Sequence, residues 1–232
     1  MINIDIKDKR FNKKDILKDI NISIKQSEFL SIIGPSGCGK STLLNIVANL
    51  DEKYNGHVHG DFSNISFMFQ DHRLLPWMSV KENLLLISKT KDLDEIKQLV
   101  KLVGLDNILD EYPNKLSGGM ARRVSLVRAF INKPSLILLD EPFISLDYPT
   151  SVSLKKDFLN FCKEFNPTVI LVTHDISEAI HLSDRILFLS KNPAQIIYEF
   201  ENINNQEFNL KKIDEIKNKI LENYPKILEG EI

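Results

Sequence analysis

The chain has 232 residues, 43% of them hydrophobic and 27% charged, enough to bury a sizeable core in one large domain or two small ones. Thirty Lys and Arg against 32 Asp and Glu leave a formal net charge of -2, which argues against a surface built to hold nucleic acid by counterion release. No apolar run exceeds four residues, the first ten alternate apolar with charged, and Cys38 and Cys162 are too few for a disulfide framework, so the expectation is a chain without a signal peptide or membrane span, working in a reducing cytoplasm.

Ile2, Ile4 and Ile6, then Ile20, Ile22 and Ile24, alternate with polar residues, the pattern of half-buried strands. Residues 29–33 are more continuously apolar and run into a glycine-rich loop, and residues 41–50 after it have helical composition. Ile65, Phe67 and Phe69 alternate again and end at Gln70. From about 76 to 132 the pattern turns helical. There Ser79-x-x-Glu82 is a capping box, whose hydroxyl and carboxylate satisfy exposed amides of a first helical turn. Leu93, Ile96, Leu99, Val100 and Val103 repeat at helical spacing up to Gly104. Met120, Val124, Val127 and Ile131 form a second stripe, closed by Pro134.

Strand-like segments return at 136–139, 169–172, 186–189 and 195–198, with helical stretches between the first three. Continuous apolar runs alternating with helices mark parallel strands buried on both faces. Beyond about 205, Leu210, Ile213, Ile216, Ile220 and Leu221 predict one amphipathic helix. The expected organisation is an α/β core over 1–204 with a helical block inserted at about 76–132, followed by a helical tail over 205–232.

Three segments carry chemistry. Gly34-Pro35-Ser36-Gly37-Cys38-Gly39-Lys40-Ser41 is a full G-x-x-x-x-G-K-[ST], with an apolar strand before it and a helix after it. Glycines let successive amides turn inward around phosphate oxygens, and the helix start adds partial positive charge. Lys40 is expected to reach the β- and γ-phosphates and the Ser41 hydroxyl to ligate Mg²⁺. Cys38 stands at a variable position and reads as packing. The apolar run 136–139 ends in Asp140 and Glu141, which places two carboxylates at the carboxyl end of a strand, where open α/β sheets bind ligands. Asp140 fits a Mg²⁺ ligand, and Glu141 is placed to polarise or orient a water toward the γ-phosphate. Ser117-Gly118-Gly119 opens the stripe that ends at Ile131 and is either a bare helix cap or a second anion-seeking cluster of amides.

The ordered set of the phosphate loop, Gln70 after a strand, Leu116-Ser117-Gly118-Gly119-Met120, Leu138-Leu139-Asp140-Glu141-Pro142, Ser145-Leu146-Asp147 and Thr173-His174-Asp175 resembles the ATP-binding subunits of ABC transporters over essentially residues 2–200. The resemblance implies the P-loop ATPase fold of that family: a mostly parallel sheet, an N-terminal antiparallel β-subdomain and an inserted helical subdomain. It also implies a head-to-tail dimer with ATP and Mg²⁺ between the loop Gly34–Thr42 of one copy and Ser117, Gly118 and Gly119 of the other. Phe11, 23 residues before Gly34, looks like the aromatic that stacks on adenine, although it also reads as a core residue of an early strand. Gln70 resembles the glutamine that senses Mg²⁺ and the attacking water, His174 the histidine that contacts the γ-phosphate, and Asp147 the residue that crosses the dimer interface beside Glu141. Met120 and Ala121-Arg122-Arg123 depart from the commoner Gln, or Arg-Gln-Arg, after the two glycines.

Gln70-Asp71-His72-Arg73-Leu74-Leu75-Pro76-Trp77-Met78, with Asn83, Phe143 and Asn192-Pro193-Ala194-Gln195-Ile196, resembles importers of the nitrate, sulfonate and taurine branch, whose members also handle vitamin precursors. The implied partners are a transmembrane permease and, through it, a solute-binding protein, with the chain on the cytoplasmic face of the membrane. Leu74, Leu75, Trp77 and Met78 would make an apolar patch able to receive a short helix of the permease, unless Trp77 simply packs the helical block. The competing reading is a soluble ABC-type ATPase acting in DNA repair or on ribosomes. The chain has neither the long coiled-coil insertion nor the tandem cassettes of those relatives.

Overall fold

A computed structural model describes residues 1–62, 64–144, 146–202 and 209–232. Ser145 and the start of the expected tail lie outside the described residues. Two compact units divide the chain: Met1–Ser63 with Leu138–Glu141 and Thr168–Ile232, and Asn64–Ile137 with Pro142–Pro167.

In the first unit, β1 (Ile2–Phe11) pairs antiparallel with β2 (Lys14–Ile24). Ile2, Ile4 and Ile6 face Ile24, Ile22 and Ile20 across the ladder, so the period of two delivers six isoleucines to one buried face. The strand β3 (Phe29–Ile33) is buried throughout and leads to α1 (Lys40–Val47). The other edge of β1 carries β4 (Asn55–His59), a strand the sequence does not announce because Val58 is its one apolar residue. Gly56 of β4 has φ +138, and a Cβ there would lie 2.1 Å from the Asp5 carbonyl oxygen.

The second unit begins with β5 (Ile65–Met68), which is followed by α2 (Val80–Ile87), α3 (Leu93–Leu102) and α4 (Gly118–Phe130). β6 (Leu136–Asp140) starts in this unit beside β5 and ends in the first. α5 (Tyr148–Phe165) completes the second unit. Its core stacks Phe130 of α4 on Phe161 of α5, ring centroids 4.8 Å apart, with Phe158 edge-on. The capping box at α2 forms in both directions, Ser79 to Glu82 and back. The unit that contains the expected helical block of 76–132 thus also holds β5 and α5.

Back in the first unit come β7 (Thr168–Thr173), α6 (Ile176–Leu182), β8 (Arg185–Leu189), β9 (Ile196–Glu201) and α7 (Leu210–Asn223). The end of β6, then β7, β3, β8 and β9, lie side by side in that order. β3 runs parallel to both β7 and β8, as the buried apolar runs predict, and β9 returns antiparallel. α7 packs Ile213 and Ile220 into one cluster with Ile176, Ile180, Ile186 and Phe188, so the tail covers α6 and the sheet. Leu210, expected in its apolar stripe, is exposed. No helix among the described residues is long and apolar enough to cross a membrane.

The expected patch at 74–78 is only partly a surface. Leu74 is buried in the core of the second unit, whereas Trp77 is 71% exposed and does not pack the helical block. The buried Asn83 of α2 holds the turn: its amide oxygen accepts from Leu75 N at 2.7 Å and its amide nitrogen donates to the carbonyls of Leu75, Met78 and Ser79. Asn83→Ala leaves these groups unpaired and is expected to lower stability in urea titration by about 2 kcal/mol. Trp77→Ala is expected to move it by less than about 0.5 kcal/mol, and an equal loss from both would contradict this division of labour.

Candidate nucleotide site

The phosphate loop leaves β3 at Gly34 and closes on α1. Cys38 N donates to the Pro35 carbonyl, and Gly37 and Gly39 take φ +72 and +124. Gly39 has no alternative, since a Cβ there would stand 2.8 Å from the Leu17 side chain as well as in a left-handed backbone. As the N-cap of α1 it offers no side-chain acceptor, and the first turn holds no acidic residue, so the helix start suits an incoming anion. Lys40 is buried, with Nζ donating to the carbonyls of Gly34 at 2.8 Å and Pro35 at 3.0 Å, which pins the ammonium across the loop. Cys38 is buried beside it. Burial pushes its thiol pKa up against the opposing pull of Lys40, which suits packing and not nucleophilic work.

Two carboxylates and a histidine arrive at the carboxyl ends of neighbouring strands. Ile33 of β3 pairs with Thr173 of β7, and Glu141 N donates to the Val172 carbonyl, so the ends of β3, β6 and β7 meet. Ser41 Oγ donates to Asp140 Oδ1 at 3.2 Å. Oxygens at adjacent corners of an octahedral Mg²⁺ shell stand about 3 Å apart, so this hard-oxygen pair fits that ion. The described residues contain no group of three or more His, Cys, Asp or Glu able to cage a metal. Glu141 sits at φ +45, a left-handed conformation costing about 1–2 kcal/mol in a residue with a Cβ. There its Oε2 lies 3.2 Å from His174 Nδ1. With Nδ1 as donor and the carboxylate as acceptor, the two side chains orient one another.

Support for the loop from the 190–195 segment has no counterpart in the amino-acid pattern. With its amide turned to satisfy both neighbours, Asn192 donates to the Cys38 carbonyl at 2.9 Å and accepts from Lys14 Nζ at 3.2 Å. Ala194 N donates to the Ile16 carbonyl and Lys18 N to the Ala194 carbonyl, lacing the 190–195 segment to β2. Only the Asn192-Pro193-Ala194 run itself was visible in the sequence, with nothing to say what it touches.

Phe11 ends β1 half exposed, so it is no core residue. The Lys9 ammonium lies 4.5 Å from its ring centroid and is itself paired with Asp51 at 2.6 Å. The remaining candidates belong to the second unit. Gln70 is exposed just after β5. Ser117 caps α4, its Oγ accepting from Met120 N, which leaves the hydroxyl proton to give away. A Cβ on Gly119 would stand 2.8 Å from the Thr150 methyl of α5, so a larger residue there requires Thr150 to shift. Asp147 caps α5, and its bonds to Thr150 hold its carboxyl below the usual carboxylate range.

A glycine-rich loop running from a central parallel strand into an uncapped helix, with Asp140 at the next strand end, defines the class: a P-loop nucleoside triphosphatase. Comparison with known proteins narrows it. The family described as ABC transporter matches residues 17–144. The aliphatic sulfonates import ATP-binding protein SsuB of Bacillus anthracis is 44% identical over 197 residues, 81% of this chain and 78% of its own length. Its Bacillus subtilis counterpart is 40% identical over 212 residues, 84% of this chain and 82% of its own. A solved dimeric ATP-binding cassette in a post-hydrolysis state, bound to ADP and Pi, is 30% identical with a TM-score of 0.73, covering 90% of this chain and all of its own. The chain belongs to the ABC transporter family, as an ATP-binding and ATP-hydrolysing member.

Asn192→Ala removes a donor to the loop and no catalytic group. It is expected to raise the KM for ATP about threefold to tenfold, since each such bond is worth roughly 0.5–1.5 kcal/mol, with kcat near wild type. An unchanged KM in steady-state assays would remove Asn192 from the support of the loop.

Proposed function

We propose that this chain is the energy-coupling ATPase of an importer for small anionic solutes, with aliphatic sulfonates the leading class. It works as a head-to-tail homodimer on the cytoplasmic face of the membrane, beneath a permease that receives solute from a binding protein. The solute class rests on the sulfonate-import names of relatives at 40–44% identity, and the dimer on the dimeric cassettes of similar fold.

The observation that carries the mechanism is the meeting of Lys40, Ser41, Asp140, Glu141 and His174 at three strand ends, while α4 offers a second, separate anion-seeking start. Phe11 stacks on adenine, the amides of Gly34 to Thr42 with Lys40 take the phosphates, and Ser41, Asp140 and Gln70 would hold Mg²⁺. Held there, Mg²⁺ would neutralise charge on the phosphates. Glu141 orients a water whose oxygen bonds to the γ-phosphorus as the bond to the bridging oxygen breaks, and ADP departs with that electron pair. His174 holds Glu141 from one side and reaches the γ-phosphate from the other. Ser117, Gly118 and Gly119 of the second copy supply the opposite wall, with Asp147 of that copy beside Glu141. Binding closes the pair, hydrolysis reopens it, and the exposed turn around Trp77 passes the motion to the permease.

Glu141→Gln keeps the shape of the side chain and loses its charge. It is expected to bind ATP normally, to hydrolyse it at least about a hundredfold more slowly, and to sediment as a dimer with Mg²⁺ and ATP. Turnover equal to wild type would remove Glu141 from the reaction. For the transport reading, the tagged chain expressed in its native cell is expected to bring down a polytopic membrane protein from mild-detergent extracts. Recovery with ribosomes or DNA, and no membrane protein, would sink that reading.

A further inference from the structure

Arg122 sits one turn into α4, at a place where the resembling family more often has Gln, and its side chain is 7% exposed. A buried guanidinium must spend its hydrogens well, because an unpaired charge away from water is costly. The Asp71 carboxylate acts on it through space against the cost of burial, while its hydrogen bonds go to backbone carbonyls. Nη1 donates to the Phe69 carbonyl at 2.9 Å and Nη2 to the Gln70 carbonyl. These carbonyls belong to the two peptide planes on either side of the Gln70 Cα. Fixing both planes fixes φ and ψ of Gln70, and so the direction in which its side chain leaves the backbone. A planar fork carries two donors side by side at a fixed spacing, one for each of these carbonyls.

Two further residues on the same side of α4 continue the grip. Ser125 Oγ donates to the His72 carbonyl at 2.9 Å, and Arg128 donates to the carbonyls of His72 and Arg73, each at 2.7 Å. They hold the same segment, but neither touches a peptide plane of Gln70.

We infer that Arg122 is a positioning residue for Gln70, aiming its amide at the reacting end of the nucleotide and coupling that aim to the helix opened by Ser117. The inference rests on the role proposed above for Gln70. Arg128 steadies the segment without setting Gln70.

The test is a double-mutant cycle on the full-length chain, reading kcat, KM, ATP affinity and melting temperature. Arg122→Met keeps the aliphatic stem and removes both donors. It is expected to lower kcat about tenfold, with ATP affinity within about twofold of wild type, because misplacement costs the chemical step more than binding. Combined with Gln70→Ala it is expected to lower kcat no further than Gln70→Ala alone, the signature of one residue acting through another. Arg128→Met is expected to lower the melting temperature comparably and kcat less than twofold. Arg122→Lys, which keeps the charge, is expected to recover part of the rate, and with Arg122→Gln it serves as the readout if Arg122→Met fails to fold. Rate losses that multiply with Gln70→Ala, or a loss matching that of Arg128→Met, would overturn the inference. If Gln70→Ala itself leaves kcat intact, the role of Gln70 falls. If Gln70→Ala is slow while every Arg122 variant turns over normally, Arg122 alone is acquitted.

Discussion

Parallel pairing of β3 with β7, Ile33 opposite Thr173, is the constraint from which the phosphate site follows. Parallel strands end on the same side, so whatever each strand emits is delivered to one edge of the sheet. β3 emits the glycine loop, β6 emits Asp140 and Glu141, and β7 emits His174. All three strands are buried up to that edge, with Ser31 the one polar residue inside β3, so the exposed polar groups gather at the strand ends. A shift of register by one residue would carry the histidine away from Glu141 by about 3.3 Å, more than the hydrogen bond between them can stretch. Burial of the strands on both faces resists such a slip.

Much of this arrangement was legible in the chain because it is written in local patterns. The isoleucine alternation of β1 and β2, the buried runs of β3, β6, β7 and β8, the capping box of α2 and the glycine loop each depend on neighbours within a few residues. What the sequence could not convey depends on distant contacts. β4 lacks apolar alternation and exists because β1 offers an edge, with Gly56 small enough to pass the Asp5 carbonyl. Leu74 belongs to the core, although its neighbours Leu75, Trp77 and Met78 suggested a common surface. Asn192 and Arg122 act on backbone carbonyls, and carbonyls leave no signature in an amino-acid sequence. In the sequence Arg122 shows only as a departure from the commoner Gln, and the burial that gives the departure a meaning is a property of the fold.

Backbone geometry is also used at this edge of the sheet. Glu141 is held left-handed just after β6, where the next strand still takes its amide through the Val172 carbonyl. The strain turns the carboxylate out of the strand's alternation and toward His174. Lys40, by contrast, is held by two carbonyls of its own loop, so the loop carries its counter-charge within itself. One arrangement costs stability to place a group, and the other gains it from a group already required.

α4 has consequences beyond packing. Its first turn presents Ser117 and the two glycines, and its flank grips four backbone carbonyls between Phe69 and Arg73. A rigid rod that carries one anchor at its tip and another along its side makes the two sensitive to each other. By the reciprocity of linked equilibria, a ligand that drew on the tip and a partner that pressed on the flank would change each other's affinity by one and the same factor.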